Sequence, residues 1–197
     1  MFIVKFYNFR AYKFRQIVIK IQFKLQNFKR RGIFKIITNF ESSSNIYAYT
    51  MPTLRLTKQF RFEGAHALTG YDGKCRHIHG HSYILYVTVK GTPSNPDGTP
   101  KSGMLIDFTD LKRIVNDHII DVFDHSLILR ESAPLAAEIA SAYQRVITVA
   151  FQPTCENLIL HFADIIRGQL PAGVHLHSLR LHETATSYVE WFESDNE

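Results

Sequence analysis

The sequence predicts an α+β fold built on a mainly antiparallel sheet. Two early stretches, near residues 54–67 and 81–91, alternate polar and apolar side chains at a strand period. Two later stretches, 108–122 and 154–170, repeat apolar residues at a helical period, and the chain closes on another alternating segment, 175–192. The order, two strands, helix, strand, helix, strand, groups strands as neighbours rather than alternating each with a helix, which separates α+β from a wound parallel sheet.

Residues 1–50 stand apart. They carry ten Lys/Arg against the single acid Glu41, about +9, and end in the Ser/Asn run Ser42–Asn45; residues 51–197 carry thirteen Lys/Arg against seventeen Asp/Glu, about −4. The net charge of +5 therefore describes neither part. Three readings compete for 1–50: a basic arm for phosphates or a membrane surface, an organelle-targeting peptide, and an extension preceding a start at Met51. The last is adopted, which leaves 1–50 outside the functional core and 51–197 as the functional domain, with neither nucleic acid nor membrane as partner. Lys and Arg interrupt every apolar run, so no membrane-spanning helix is expected. Two cysteines, Cys75 and Cys155, are too few for a disulfide framework, and no secretory leader with a clean apolar segment is evident; a soluble, cytoplasmic protein is expected.

From Leu54 to about Ala67, LRLTKQFRFEGAHA reads as a strand, and HSYILYVTVKG, 81–91, as a second with Tyr83, Leu85, Val87 and Val89 on one face. The polar, glycine-rich connection between them implies an antiparallel pair. GTPSNPDGTPKSG, 91–103, is exposed loop, and MLID reads as a short strand. Asp107 caps a helix from about Phe108 to Val122, with Leu111, Ile114, Val115, Ile119 and Val122 inward. A short helix over 134–143 and a strand over 145–151 follow. Thr154 then caps a helix to about Leu170, stopped by Pro171, with Leu158, Ile159, Phe162, Ile165 and Ile166 as its stripe. HLHSLRLHETATSYVEWF closes the chain as a long strand or strand pair.

The chemistry-bearing block is CRHIHGH, 75–81. Side chains two apart on a strand share a face, so His79 and His81 point the same way, and Gly80 between them admits a neighbouring backbone. His66, at the end of the strand that should pair with this one, is the candidate third ligand. Three imidazoles with no fourth protein ligand form the open pattern of a catalytic zinc site. Cys75 beside them is open to three readings: base or nucleophile, fourth ligand, or inert loop residue. Spacing does not choose among them.

The ordered blocks FEGAHAL, Cys75 with HGHSY, GMLIDFTDLK, FDHSLIL, PTCENLI and LHETATSY resemble the 6-pyruvoyl- and 6-carboxy-tetrahydropterin synthase superfamily across about residues 54–192. The resemblance implies a tunnelling fold, an antiparallel β-sheet backed by two helices, assembled as a homohexamer with active sites at subunit interfaces. It implies Zn2+ on His66, His79 and His81, Cys75 as catalytic residue, and Asp124 with His125 as a proton-transfer pair. It places Glu183 on the guanidine-like edge of the pterin, where a carboxylate accepts two hydrogen bonds; read alone, Glu183 is equally a solvent-facing strand residue. Thr154 and Glu156, at a helix N-terminus, are second-rank substrate contacts, although capping by itself explains Thr154.

Three residues separate Cys75 from His79, similar to the bacterial 6-carboxy-tetrahydropterin synthases of the queuosine pathway rather than the animal 6-pyruvoyl enzymes. The implied activity is that of a lyase converting 7,8-dihydroneopterin triphosphate to 6-carboxy-5,6,7,8-tetrahydropterin, acetaldehyde and triphosphate. The alternatives are 6-pyruvoyl-tetrahydropterin synthesis and a non-catalytic zinc- or nucleic-acid-binding module. Two features depart from the pattern: His77, a potential extra ligand or base within the loop, and a 27-residue interval between His125 and Pro153.

Overall fold

The computed structural model describes residues 52–93 and 99–196, so the extension assigned to 1–50 and the centre of the 91–103 loop lie outside the described residues. Among the described residues one sheet holds six strands. β1 (Leu54–His66) and β2 (His79–Gly91) run antiparallel in unbroken register from Leu54 opposite Gly91 to His66 opposite His79. β3 (Ser126–Arg130) pairs with β1, and β4 (Val146–Val149) with β3, both in parallel. β5 (Val174–His182) pairs antiparallel with β2, and β6 (Tyr188–Phe192) antiparallel with β5. The order across the sheet is β4-β3-β1-β2-β5-β6.

Three ladders are antiparallel as expected, and two are parallel. The parallel pair occupies the segment between His125 and Pro153. The helix before β3 and the short helix before β4 act as the crossovers that parallel neighbours require. MLID is not a strand: Leu105 and Ile106 pack onto the core and bring the chain to the Asp107 cap, whose carboxylate accepts from Thr109 N at 2.8 Å.

Helix α1 spans residues 108–123: an α-helical Phe108–Val115, a π-helical Asn116–Ile120 and a last turn, Asp121–Phe123. The wider π turn keeps Ile119 and Phe123 on the buried stripe begun by Leu111, Ile114 and Val115. α2 (Ala136–Ala142) is short, and α3 (Cys155–Gln169) buries Leu158, Ile159, Phe162, Ala163 and Ile166. α1 and α3 cover one sheet face in a single core with Phe60, Phe62, Tyr83, Leu85, Val87 and Val89, where Phe62 stacks on Tyr83 at 4.8 Å between ring centroids. A smaller cluster, Leu129 and Ala136 with Leu127, Ile139 and Val146 against them, packs α2 beside β3 and β4.

β5 shows how local irregularity preserves the core. A register shift opposite Thr88 and Val89 inserts one residue, so Val174 and Leu176 before it and Leu179 and Leu181 after it all face the helices. No helix among the described residues is long and apolar enough to cross a membrane.

Candidate metal centre and active site

The site begins where β1 and β2 end. His66 stands directly opposite His79, and Gly64 opposite His81. All three imidazoles therefore share the face that carries Phe62 and Tyr83. Gly80 lies between the two β2 histidines, and a Cβ there would come within 3.3 Å of the Gly64 carbonyl oxygen, so this residue lets the strands stay close at the site. Ring centroids are 4.6 Å apart for His66 and His79, 5.1 Å for His66 and His81, and 4.9 Å for His79 and His81. Their ligand atoms all lie within 4.8 Å of one another.

Hydrogen bonds set which nitrogens face inward. His66 Nδ1 is 2.6 Å from the Pro153 carbonyl and His79 Nδ1 is 2.8 Å from the His77 carbonyl. A carbonyl only accepts, so each Nδ1 carries the hydrogen and each Nε2 presents a lone pair. Those two Nε2 atoms are 3.1 Å apart, and His81 Nε2 is buried without a hydrogen-bond partner. Converging unpaired nitrogens cost free energy unless a cation satisfies them. The three histidines are thus positioned to hold a metal ion, and a neutral imidazole set suits zinc and its first-row neighbours. The His77 imidazole contributes nothing to the set: its Nε2 accepts from Arg76 Nε at 3.3 Å, and only its backbone serves the site.

Glu183, at the β5–β6 turn, closes the edge of the cluster. Its Oε1 is 3.7 Å from His66 Nε2 and 3.8 Å from His81 Nε2. The turn is tied by Glu183 N and Thr184 N to the Ser187 carbonyl, and Thr184 Oγ1 accepts from Thr186 N and Ser187 N. The carboxylate is therefore held on a rigid corner. Beneath it, Tyr83 and Cys155 are buried; burial together with the Glu183 charge pushes the Cys155 thiol up to about 12 and raises Tyr83 above the ordinary phenol range.

Burial likewise holds His66 and His81 below the ordinary histidine value, the Glu183 charge only partly opposing it. Both are then neutral near pH 7, the state a metal requires. In the unfolded chain they protonate near 6.5. Stability from this depression is fully present above about 6.5 and is lost as the pH falls through the lower native values. The thermal midpoint of metal-free protein is expected to fall between pH 7 and pH 5, and that of metal-loaded protein to start higher and fall at least as steeply, because the bound ion keeps protons off the native imidazoles while the unfolded chain still takes them up. His161 and His177, also depressed by burial, contribute alike to both forms, so the difference between the two curves belongs to the cluster.

The other expected residues lie around this centre. Thr154 caps α3, its hydroxyl accepting from Asn157 N at 3.3 Å, and Glu156 is exposed in the first turn. Cys75 is half-buried in a 3-10 turn, Lys74–Arg76, and is not among the clustered ligands. Asp124 and His125 do touch: Asp124 Oδ2 is 2.9 Å from His125 Nδ1 while Oδ1 accepts from Glu63 N at 2.9 Å. The Glu63 amide, then His125, then the charge of Arg145 hold Asp124 below the usual carboxylate range. Among the described residues no hydrogen bond or ion pair joins this pair to the three imidazoles. His125, 75% exposed, lines a groove of about 1000 Å³ that also runs along Glu63, Ala65, Ser82 and His81.

Three contributors carry no signal in the sequence: the carbonyls of Pro153 and His77, which set the tautomers, and the contact of Glu183 with two of the histidines.

The chain matches 6-pyruvoyl tetrahydropterin synthase as a family over residues 55–194. It is 34% identical over 143 residues to the 6-carboxy-5,6,7,8-tetrahydropterin synthase of Haemophilus influenzae, covering 71% of this chain and 99% of that one. Identity to the enzyme of the same name from Rickettsia felis is 30% over 141 residues, covering 70% and 99%. The solved structure of 6-pyruvoyl tetrahydropterin synthase from Caenorhabditis elegans shares the fold, with a TM-score of 0.54 at 22% identity, over 73% of this chain and 98% of that one.

Proposed function

The chain belongs to the 6-pyruvoyl tetrahydropterin synthase family and is a lyase, and on that premise we propose that it converts 7,8-dihydroneopterin triphosphate to 6-carboxy-5,6,7,8-tetrahydropterin, releasing acetaldehyde and triphosphate, as a step of queuosine biosynthesis. The observation that carries the reading is the convergence of three imidazole Nε2 atoms beside one carboxylate, 3.7 Å and 3.8 Å away. The relatives named for the 6-carboxy product and the three-residue interval from Cys75 to His79 favour this branch over the 6-pyruvoyl one.

The metal assigned to His66, His79 and His81 is zinc, which when bound supplies Lewis-acid polarisation of the substrate's side-chain oxygens. Glu183 accepts two hydrogen bonds from the pterin edge and so sets the side chain over the histidines. Asp124 fixes the His125 Nδ1 hydrogen and leaves Nε2 as the free base. The Cys75 sulfur and His125 move carbon-bound protons on opposite sides of the substrate side chain. Lys74 and Arg76, exposed beside Cys75, are cations for the triphosphate, and Thr154 and Glu156 are second-rank contacts. His125, 75% exposed and neither hydrogen-bonded nor ion-paired to the cluster of its own chain, supports a homohexamer with active sites at subunit interfaces. The functional domain is residues 51–197, with 1–50 outside it, and the unpaired cysteines suit the cytoplasm. Incubation of the zinc-loaded chain with 7,8-dihydroneopterin triphosphate tests the reading, acetaldehyde and inorganic triphosphate being the expected co-products.

A further inference from the structure

His125 has a backbone conformation that few non-glycine residues hold, φ 57°. Such a conformation persists only where its surroundings over-determine it. Here the peptide joining Asp124 to His125 is gripped at both ends. The His125 amide donates to the Glu63 carbonyl at 2.6 Å. The Asp124 carbonyl accepts from Arg145 Nη2, which also lies 3.2 Å from the Asp121 carbonyl and 3.3 Å from the Val122 carbonyl.

Asp121 and Val122 belong to the last turn of α1, whose carbonyls have no intrahelical partner. A guanidinium there satisfies them and complements the negative helix end. Arg145 lies in the connection between α2 and β4, and its own carbonyl accepts from Leu127 N at 2.9 Å, so the hold runs from the β3–β4 ladder across to the helix end. We propose that Arg145 is a positioning residue that aims the Asp124–His125 pair by clamping the last turn of α1 and the peptide between the two residues.

Arg145 itself touches no reacting atom in this scheme. Without it the turn relaxes and the imaged direction of the imidazole shifts, although Asp124 still meets the ring. The inference rests on His125 acting as a proton carrier, and the test separates the two claims. In the full, zinc-loaded chain, Arg145→Met is expected to lower kcat by about 10- to 100-fold, the scale of a misplaced catalytic group, with KM and bound zinc little changed. His125→Asn is expected to lower kcat by about 10²- to 10⁴-fold. Because Arg145 acts through His125, Arg145→Met added to His125→Asn should cost almost nothing further. Arg145→Lys keeps a cation at the helix end but not the guanidinium fork, and should recover part of the loss; it carries the same comparison if the Met variant fails to fold. Equal losses in both backgrounds, or full kcat in Arg145→Met and Arg145→Lys, would overturn the role. Full kcat in His125→Asn would overturn the assignment of His125 and, with it, the role of Arg145.

Discussion

Replacing His79 by Ala is expected to strip the metal and lower turnover by about 10³-fold or more, the scale of a lost Lewis acid worth several kcal/mol. His79 is the informative choice because it is only half-buried, whereas His66 is 2% exposed and its truncation would also open a cavity. Its Nδ1 is fixed by the His77 carbonyl and its Nε2 faces His66 Nε2 at 3.1 Å, so deletion leaves His66 and His81 as two ligands. Two imidazoles do not hold an ion that three were arranged to hold. Metal content measured with turnover checks the expectation. A variant that keeps one zinc per chain would remove His79 from the ligand set.

Cys75→Ala is expected to produce the complementary result: metal retained and turnover lowered by about 10²- to 10⁴-fold, the usual worth of a positioned acid or base. The thiol lies outside the three-histidine cluster, while the Cys75 backbone closes the loop by accepting from Leu68 N at 2.9 Å. The substitution removes the sulfur and leaves that closure in place. This separates the readings that spacing leaves open. Loss of metal would make Cys75 a fourth ligand, and unchanged turnover would make it an inert loop residue.

What could be read in the chain and what could not divides along physical lines. Alternation in β1 and β2 is local, so both strands and the shared face of His79 and His81 are visible as sequence pattern. The third ligand follows from register, since pairing the two strands to their ends sets His66 opposite His79. The helices declare themselves through caps: Asp107 and Thr154 both accept from backbone amides as their positions suggest. β3 does not declare itself, because Ser126–Arg130 is five residues long, directly follows a helix, and is defined by parallel pairing with a distant strand. MLID misleads in the opposite sense: its apolar residues resemble a strand, but they serve to cover the core, Ile106 being buried in it and Leu105 packed against it. The tautomer-setting carbonyls of Pro153 and His77 are backbone groups, and Arg145 is one cation among 23, so neither stands out without coordinates.

The central claim is the reaction, and the mass of its pterin product tests it most directly. The whole chain and residues 51–197 alone, each loaded with zinc and given 7,8-dihydroneopterin triphosphate, are expected to yield 6-carboxy-5,6,7,8-tetrahydropterin with matching acetaldehyde. A pterin that has lost triphosphate but kept its three-carbon side chain would place the enzyme in the 6-pyruvoyl branch, and unchanged substrate would contradict catalysis of this reaction altogether.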